Sequence, residues 1–255
     1  MSNGEGDKEM EMCSVIVEKV RGRSSVINCL SRYPLKFIIP KKVYKSVGSK
    51  CSNQILEARV GSDALLAIIP DPVTCFSTAR YYQKQVFSVS LDSNLVIVDW
   101  ITSGRHESGE KWEFDLYRST NNIFLEDGQP LFLDTMLLEK GKIGCIQESM
   151  HNYQVIAMIV ILGPKMQYIQ NLVQDHVKEV MSERLQHPSG ALSHQRDKAD
   201  HFISKPSFMA SCSAFGPKRI GCLVRVAAET TESVYNFLRH QLAPLEPMIG
   251  VPPYR

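Results

Sequence analysis

The chain has 255 residues, 44% hydrophobic and 22% charged, with a formal net charge of +2. That apolar share supports a sizeable core in one or two domains, and the near-neutral balance without a long basic block excludes a nucleic-acid surface built on charge. The longest strongly apolar run, Val155 to Leu162, is far below the ~20 residues of a membrane-spanning helix.

Residues 1–12 are acidic and polar and read as a disordered tail, with no basic region followed by an apolar stretch to mark a signal peptide. Short strand-like runs follow at Ser14–Val20, Ser25–Leu30 and Leu35–Ile39, then at Gln54–Val60, Ala64–Ile69, Gln85–Leu91 and Asn94–Ile101. In Lys111–Tyr117 the residues Trp112, Phe114 and Leu116 alternate with charged ones, the pattern of a half-buried strand. Asn122–Leu125 and Leu131–Leu137 flank Asp127-Gly128, a turn signal between strands. Ile143–Ile146 and Val155–Leu162 continue the series.

Pro164 stands where a helix can begin, because its missing N–H has no partner there anyway. Beyond it Ile169, Leu172, Val173, Val177 and Val180 share one face of a helix that stops near His187-Pro188. A polar loop runs from Pro188 to Pro206, followed by runs at Phe208–Phe215 and Ile220–Ala228. A second helix is predicted from Thr230 or Thr231, with Val234, Phe237 and Leu238 as its apolar stripe and an end before Pro244. The whole reads as a mainly β chain with two helices, without the fixed-period repeat that identifies a regular solenoid.

Chemistry-bearing motifs are absent: no GxSxG, P-loop, GxGxxG or HExxH occurs. Seven dispersed cysteines, an odd number without a CxxC pair, read as small buried hydrophobes in a reducing compartment. His187, His194 and His201, with Asp197 and Asp200, are imidazoles and carboxylates that suit nickel, zinc or copper, but their spacing matches no ligand motif and a solvated loop explains them better. His176, beside the helix's apolar face, reads as a partly buried structural histidine. Gly104 and Gly109 read as a turn between strands, with Arg105 either paired to a carboxylate or held out to a partner.

Five stretches carry a resemblance to the UreD (UreH) family of urease accessory proteins, closest to its plant-like branch. They are GRSSVINCLSRYPLKFIIPKK, ARVGSDALLAIIPDPVTCFSTARYYQKQVFSV, VDWITSGRHESGEKWEFDLYRSTNNIF, DGQPLFLDTMLLE and GCLVRVAAETTESVYNFLRHQLAPLEPMIGVPPYR, in the family's order. The chain departs from the family pattern at one place: Lys41-Lys42 runs directly into Val43-Tyr44, where the family has a Gly-rich segment and a Thr-rich strand. Residues 13–255 then read as one UreD-like domain, internally shortened near 42–43, the pattern of an exon-skipped isoform or of a mis-built gene model.

The resemblance implies a helically wound, solenoid-like β domain with two packed helices and no catalysis; with neither a signal-peptide pattern nor a membrane-length apolar run, the chain reads as cytoplasmic. It also implies binding to apo-urease and, with UreF-type and UreG-type proteins, assistance to GTP-dependent nickel insertion at a carbamylated lysine. No cofactor is held tightly; nickel is in transit. Such transit needs oxygen ligands to replace lost hydration, and Asp71, Asp99, Asp134 and Glu139, set in or beside apolar strands, are the candidates for its path. Arg80, Tyr81, Arg105, Glu110 and Trp112, within the two most specific stretches, are the candidates for partner contact. The rival readings are a β-rich carbohydrate-active enzyme, which would need two carboxyl groups facing one scissile bond, and a plain interaction module without metal transit.

Overall fold

The structure is a computed structural model. It describes residues 51–104, 108–141, 145–186 (side chains to 182) and 207–254, and the backbone of four earlier strands. These are β1 (Ile16–Val20), β2 (Ser24–Cys29), β3 (Leu35–Phe37) and β4 (Val43–Tyr44). The expected tail at 1–12, Arg105 and the histidine-bearing loop with His187, His194 and His201 lie outside the described residues.

After them come β5 (Ser52–Val60), β6 (Leu65–Ile68), β7 (Val73–Cys75), β8 (Arg80–Val89) and β9 (Asn94–Thr102). Next are β10 (Leu116–Leu125), β11 (Pro130–Glu139), a short helix α1 (Ile146–Met150) and β12 (Val155–Leu162). The chain ends with α2 (Gln167–Gln186), β13 (Phe208–Phe215), β14 (Gly221–Ala228), α3 (Thr231–Leu242) and α4 (Glu246–Ile249).

The strands form two sheets. Sheet A runs β1-β2-β5-β8-β10-β11, and sheet B runs β13-β14-β12-β9-β6-β3, with β7 beside β9 and β4 beside β7. The chain alternates between them, and its successive returns pair in parallel: β2 with β5, β5 with β8 and β8 with β10 in sheet A, β3 with β6 and β6 with β9 in sheet B. That is a helically wound β domain. The coils are unequal. Ser24 lies opposite Ile55, Ser52 opposite Tyr81 and Arg80 opposite Leu116, returns of 31, 29 and 36 residues. The third is longer because the segment between β9 and β10 carries an extra loop, which hides the period in the sequence.

Period-2 alternation puts one set of side chains between the sheets and the other outside. In β9 the outer set Val96, Val98 and Trp100 packs under the helices with Ile169, Val173 and Val177 of α2 and Val234, Phe237 and Leu238 of α3. Thr230 caps α3, its hydroxyl accepting from the Ser233 amide at 3.2 Å. Both long helices thus form where predicted.

Three local expectations need correction. Lys111–Asp115 is not a strand: Trp112 has φ +56° and anchors a corner, its indole N–H donating to the Tyr153 carbonyl at 2.8 Å, although Trp112, Phe114 and Leu116 are indeed the buried set. Ile146 opens α1 rather than closing a strand. Of the cysteines, Cys75 and Cys222 are buried, but Cys51 and Cys145 are exposed; burial pushes the Cys75 thiol up to about 12.

Gly163 joins β12 to the 3-10 turn Pro164–Met166 with φ +112°, and a Cβ there would sit 2.2 Å from the Ser93 carbonyl oxygen and 2.8 Å from Asn94 Cα. Both obstacles are backbone and the conformation is left-handed, so neither can be relieved by a rotamer change. Gly163→Ala is expected to destabilise the protein by about 3 kcal/mol or more, read as a fall in the urea midpoint at unchanged m.

Candidate functional site, a buried polar band between the sheets

The layer between the two sheets is not uniformly apolar. At one end Ala58, Phe87 and Ile123 of sheet A meet Leu66, Leu95 and Ile97 of sheet B. At the other, Tyr81 and Tyr117 meet Val73, Cys75 and Ile101. Two rungs of sheet A lie between these clusters: Gln54, Gln83, Ser119 and Met136 in register, then Leu56, Gln85, Asn121 and Asp134. Facing them from β9 is Asp99, the only acidic residue of that strand, placed between Ile97 and Ile101 on the inner face.

Asp99 is buried and accepts four hydrogen bonds. Gln83 Nε2 (3.1 Å) and the Tyr117 hydroxyl (3.4 Å) donate to Oδ1; the Ser119 hydroxyl (2.5 Å) and Asn121 Nδ2 (2.7 Å) donate to Oδ2. The Tyr81 hydroxyl donates to Gln83 Oε1 at 2.9 Å and fixes which way that amide points. Loss of water nonetheless dominates and holds the Asp99 carboxyl above its ordinary range, against the pull of the Ser119, Asn121 and Gln83 donors and with a small push from Asp134. The same burial, reinforced by Asp99, raises the Tyr117 phenol.

Two acceptors in the band have no partner among the described residues: Gln85 Oε1 and Asn121 Oδ1. Their residues are adjacent in register and almost wholly buried. An orphaned buried amide oxygen costs about 1–3 kcal/mol, so this rung has acceptors in excess of donors. Asp134, next in the same rung, is matched by Arg225 at 2.5 Å. Arg225 itself lies in the row Asp99–Met158–Arg225 across sheet B. The band therefore runs from the buried carboxylate to a half-exposed ion pair at the margin of the layer, the Arg225 side chain being 55% exposed. Chemically it is a row of oxygen acceptors in which Asp99 is already met by four donors, and among the described residues no group of three or more His, Cys, Asp or Glu side chains is placed to hold a metal ion.

Of the four carboxylates expected along a metal path, the fold brings Asp99 and Asp134 together and separates the others. Asp71 lies on the helix side, accepting from the Tyr235 hydroxyl at 3.0 Å beside Trp100 and Tyr254. Its proximity and burial raise the Tyr235 phenol, burial contributing more. Glu139 ends β11 opposite Leu116, on the face opposite to Asp134.

The expected partner-contact residues divide similarly. Tyr81 is fully buried, stacked on Tyr117 at 5.7 Å, and Trp112 is a core anchor, so neither is presented to a partner. Arg80 and Glu110 are half-buried, and the neighbouring Tyr82 and Cys51 side chains favour the charged form of Arg80. His176 packs between α2 and α3 against Gln241, Phe237 and His240, a structural position as expected. Gln54, Gln83, Gln85, Ser119, Asn121 and Arg225 were not singled out from the sequence. Their signal is a Gln-x-Gln and a Ser-x-Asn inside apolar strands, at inward parity.

Fold and band together define a wound two-sheet β protein with a buried polar band between its sheets. A family model described as UreD urease accessory protein matches residues 40–255. The chain is 50% identical to Urease accessory protein D of Arabidopsis thaliana, covering 94% of this chain and 98% of that one. It is 47% identical to Urease accessory protein D of Oryza sativa subsp. indica (94% of each chain), and 32% identical to Urease accessory protein UreD of Anaeromyxobacter sp. (84% of this chain, 63% of the relative). The chain belongs to the UreD family of urease accessory proteins, on its plant-like branch. It is thus an accessory protein to an enzyme rather than an enzyme, and the carbohydrate-active reading falls.

Proposed function

We propose that this chain is a urease maturation factor of the cytoplasm that binds apo-urease and, together with UreF-type and UreG-type proteins, assists GTP-dependent nickel insertion. The observation that carries this reading is the family match over residues 40–255 together with 50% identity to a plant relative along nearly its whole length. Nickel is the cargo. It travels inwards along the inter-sheet band, losing water to Asp134, Asn121, Gln85 and Asp99 in succession. A carboxylate flanked by neutral amides binds the ion tightly enough to admit it and weakly enough to release it.

The Asp134–Arg225 pair sits where the band meets solvent and acts as its latch. An arriving cation competes with the guanidinium for the carboxylate, and Arg225 swings out because most of its length is already wet. Asp71 and Glu139 have no part in this route.

The test is co-purification of the full chain with the UreF-type protein and apo-urease, followed by nickel content and activity of the urease. Retention of both partners and nickel-loaded, active urease is the expected result. A urease that activates equally well without this protein overturns the reading. A chain that binds both partners but leaves nickel loading unchanged leaves the plain interaction module in its place.

A further inference from the structure

The two sheets differ in how they are covered. The outer side of sheet B carries α2 and α3. Among the described residues no element packs on the outer side of sheet A, and it is not the polar surface that alternation predicts: Ile55, Leu133 and Leu137 stand 38%, 59% and 51% exposed. A cleft of about 860 Å³ crosses β5, β8, β10 and β11 on this side. Its charged lining residues are Lys84 and Arg118, and no carboxylate lines it. Both side chains are exposed, and neither has an ion-pair partner among the described residues. In register, Lys84 lies beside Ile55, and Arg118 between Tyr82 and Leu137. Unpaired cations interleaved with exposed aliphatic side chains mark a contact surface rather than a solvated face.

We propose that this cleft is the docking site for an acidic, aliphatic segment of a partner protein. Carboxylates of that segment meet Lys84 and Arg118, and its leucine- or isoleucine-type side chains cover Ile55, Tyr82 and Leu133. A nucleic acid would satisfy the cations but not the leucines, and a flat bilayer surface does not enter a concave cleft, so the combination selects a protein segment. The inference rests on the accessory-protein reading and adds where a partner sits. It also leaves the Asp134–Arg225 end of the band uncovered, because that pair belongs to the layer between the sheets.

The probes are the UreF-type protein and apo-urease, each offered separately to the full chain at low and high salt. The variants are Lys84→Glu with Arg118→Glu, Leu133→Asp, and Lys178→Glu on the exposed side of α2 as a control. The charge-reversed pair and Leu133→Asp are expected to weaken retention of one partner by about tenfold or more. Raising the salt weakens the wild type in the same direction, and Lys178→Glu changes nothing. Thermal unfolding midpoints should stay at the wild-type value because all these side chains point into solvent. If the wild type holds a partner and the charge-reversed pair holds it equally well, the cleft assignment is wrong while the maturation reading stands. If the wild type holds neither partner, both fall together. Binding lost only to an anionic vesicle or an oligonucleotide, with protein partners retained, also overturns the assignment.

Discussion

Asp99→Asn is expected to stop nickel delivery while leaving partner binding intact. The substitution conserves shape and removes the one buried carboxylate of the inter-sheet band. The surroundings can absorb the exchange at modest cost. The Ser119 and Tyr117 hydroxyls rotate to accept, and Asn121 can turn its orphaned Oδ1 towards the new amide. A loss of about 1–2 kcal/mol at acidic pH follows from one mismatched buried hydrogen bond. Delivery has no such compensation, since a neutral amide cannot replace the charge that offsets the cation's lost hydration. Urease activity in a reconstituted system should fall by about tenfold or more, with co-purification unchanged.

The pH dependence supplies a second readout with a defined sign. The folded-state pKa of Asp99 is raised above the unfolded value. Its contribution to stability is therefore fully present below pH ~4 and is lost as pH rises through the raised value. The Asp99→Asn variant lacks that dependence, so the gap in unfolding temperature between the two proteins should narrow as pH rises from about 4 towards neutrality. A gap that widens, or full urease activation by the variant, removes Asp99 from the route.

Much of the fold was legible because alternation and capping are local. Val155–Leu162 reads as a strand from its unbroken apolar run, and Thr230 reads as a helix start from its hydroxyl. Asp127-Gly128 announces the hairpin of β10 and β11. The site was legible only in part, because alternation assigns polar residues to solvent. In β8 the inward set Tyr81, Gln83, Gln85 and Phe87 includes two glutamines. Such residues give no apolar signal, so the expected run Gln85–Leu91 begins five residues after β8 does. Ser119 and Asn121 were passed over for the same reason. Charge helped where amides did not: Asp99 and Asp134 stood out as carboxylates among aliphatic residues, and the fold joins them. Asp71 and Glu139 looked alike by that criterion but fall on other faces, a matter of parity and winding that only three-dimensional pairing decides. The parallel pairing across returns of 31, 29 and 36 residues was equally hidden, since each coil needs only the right inward parity and not the same residues.

Restoring a segment between Lys42 and Val43 is expected to raise both the stability and the activity of this chain. The alignment with the Arabidopsis relative spans 288 positions, whereas 94% of 255 residues is about 240, so about 48 positions of the relative lack a counterpart here. Wherever those gaps fall, they remove material from a wound domain whose coils run to about thirty residues each. The first coil shows what such a loss would leave. Among the described residues β3 pairs only with β6, and β4 only with β7. Among these residues each then has one row of backbone N–H and C=O groups without a strand beside it. These strands are short, three and two residues, so they hold few ladder bonds to compensate. Every buried group left without a partner costs about 1–3 kcal/mol, against a whole-domain stability of about 5–15 kcal/mol. An open parallel edge is also a template for pairing with another chain. The comparison is between this chain and one carrying the plant-type insertion at Lys42-Val43, measured for soluble yield, cooperative thermal unfolding and urease activation. The lengthened chain should unfold at a higher temperature, by about 4 °C or more for each 2 kcal/mol regained, and remain monomeric at concentrations where the shorter one aggregates. Activation should follow the same order, because a band is a route for an ion only if the walls that enclose it stay closed. Equal yield, equal unfolding temperature and equal activation would show that the junction is an ordinary feature of a complete coil.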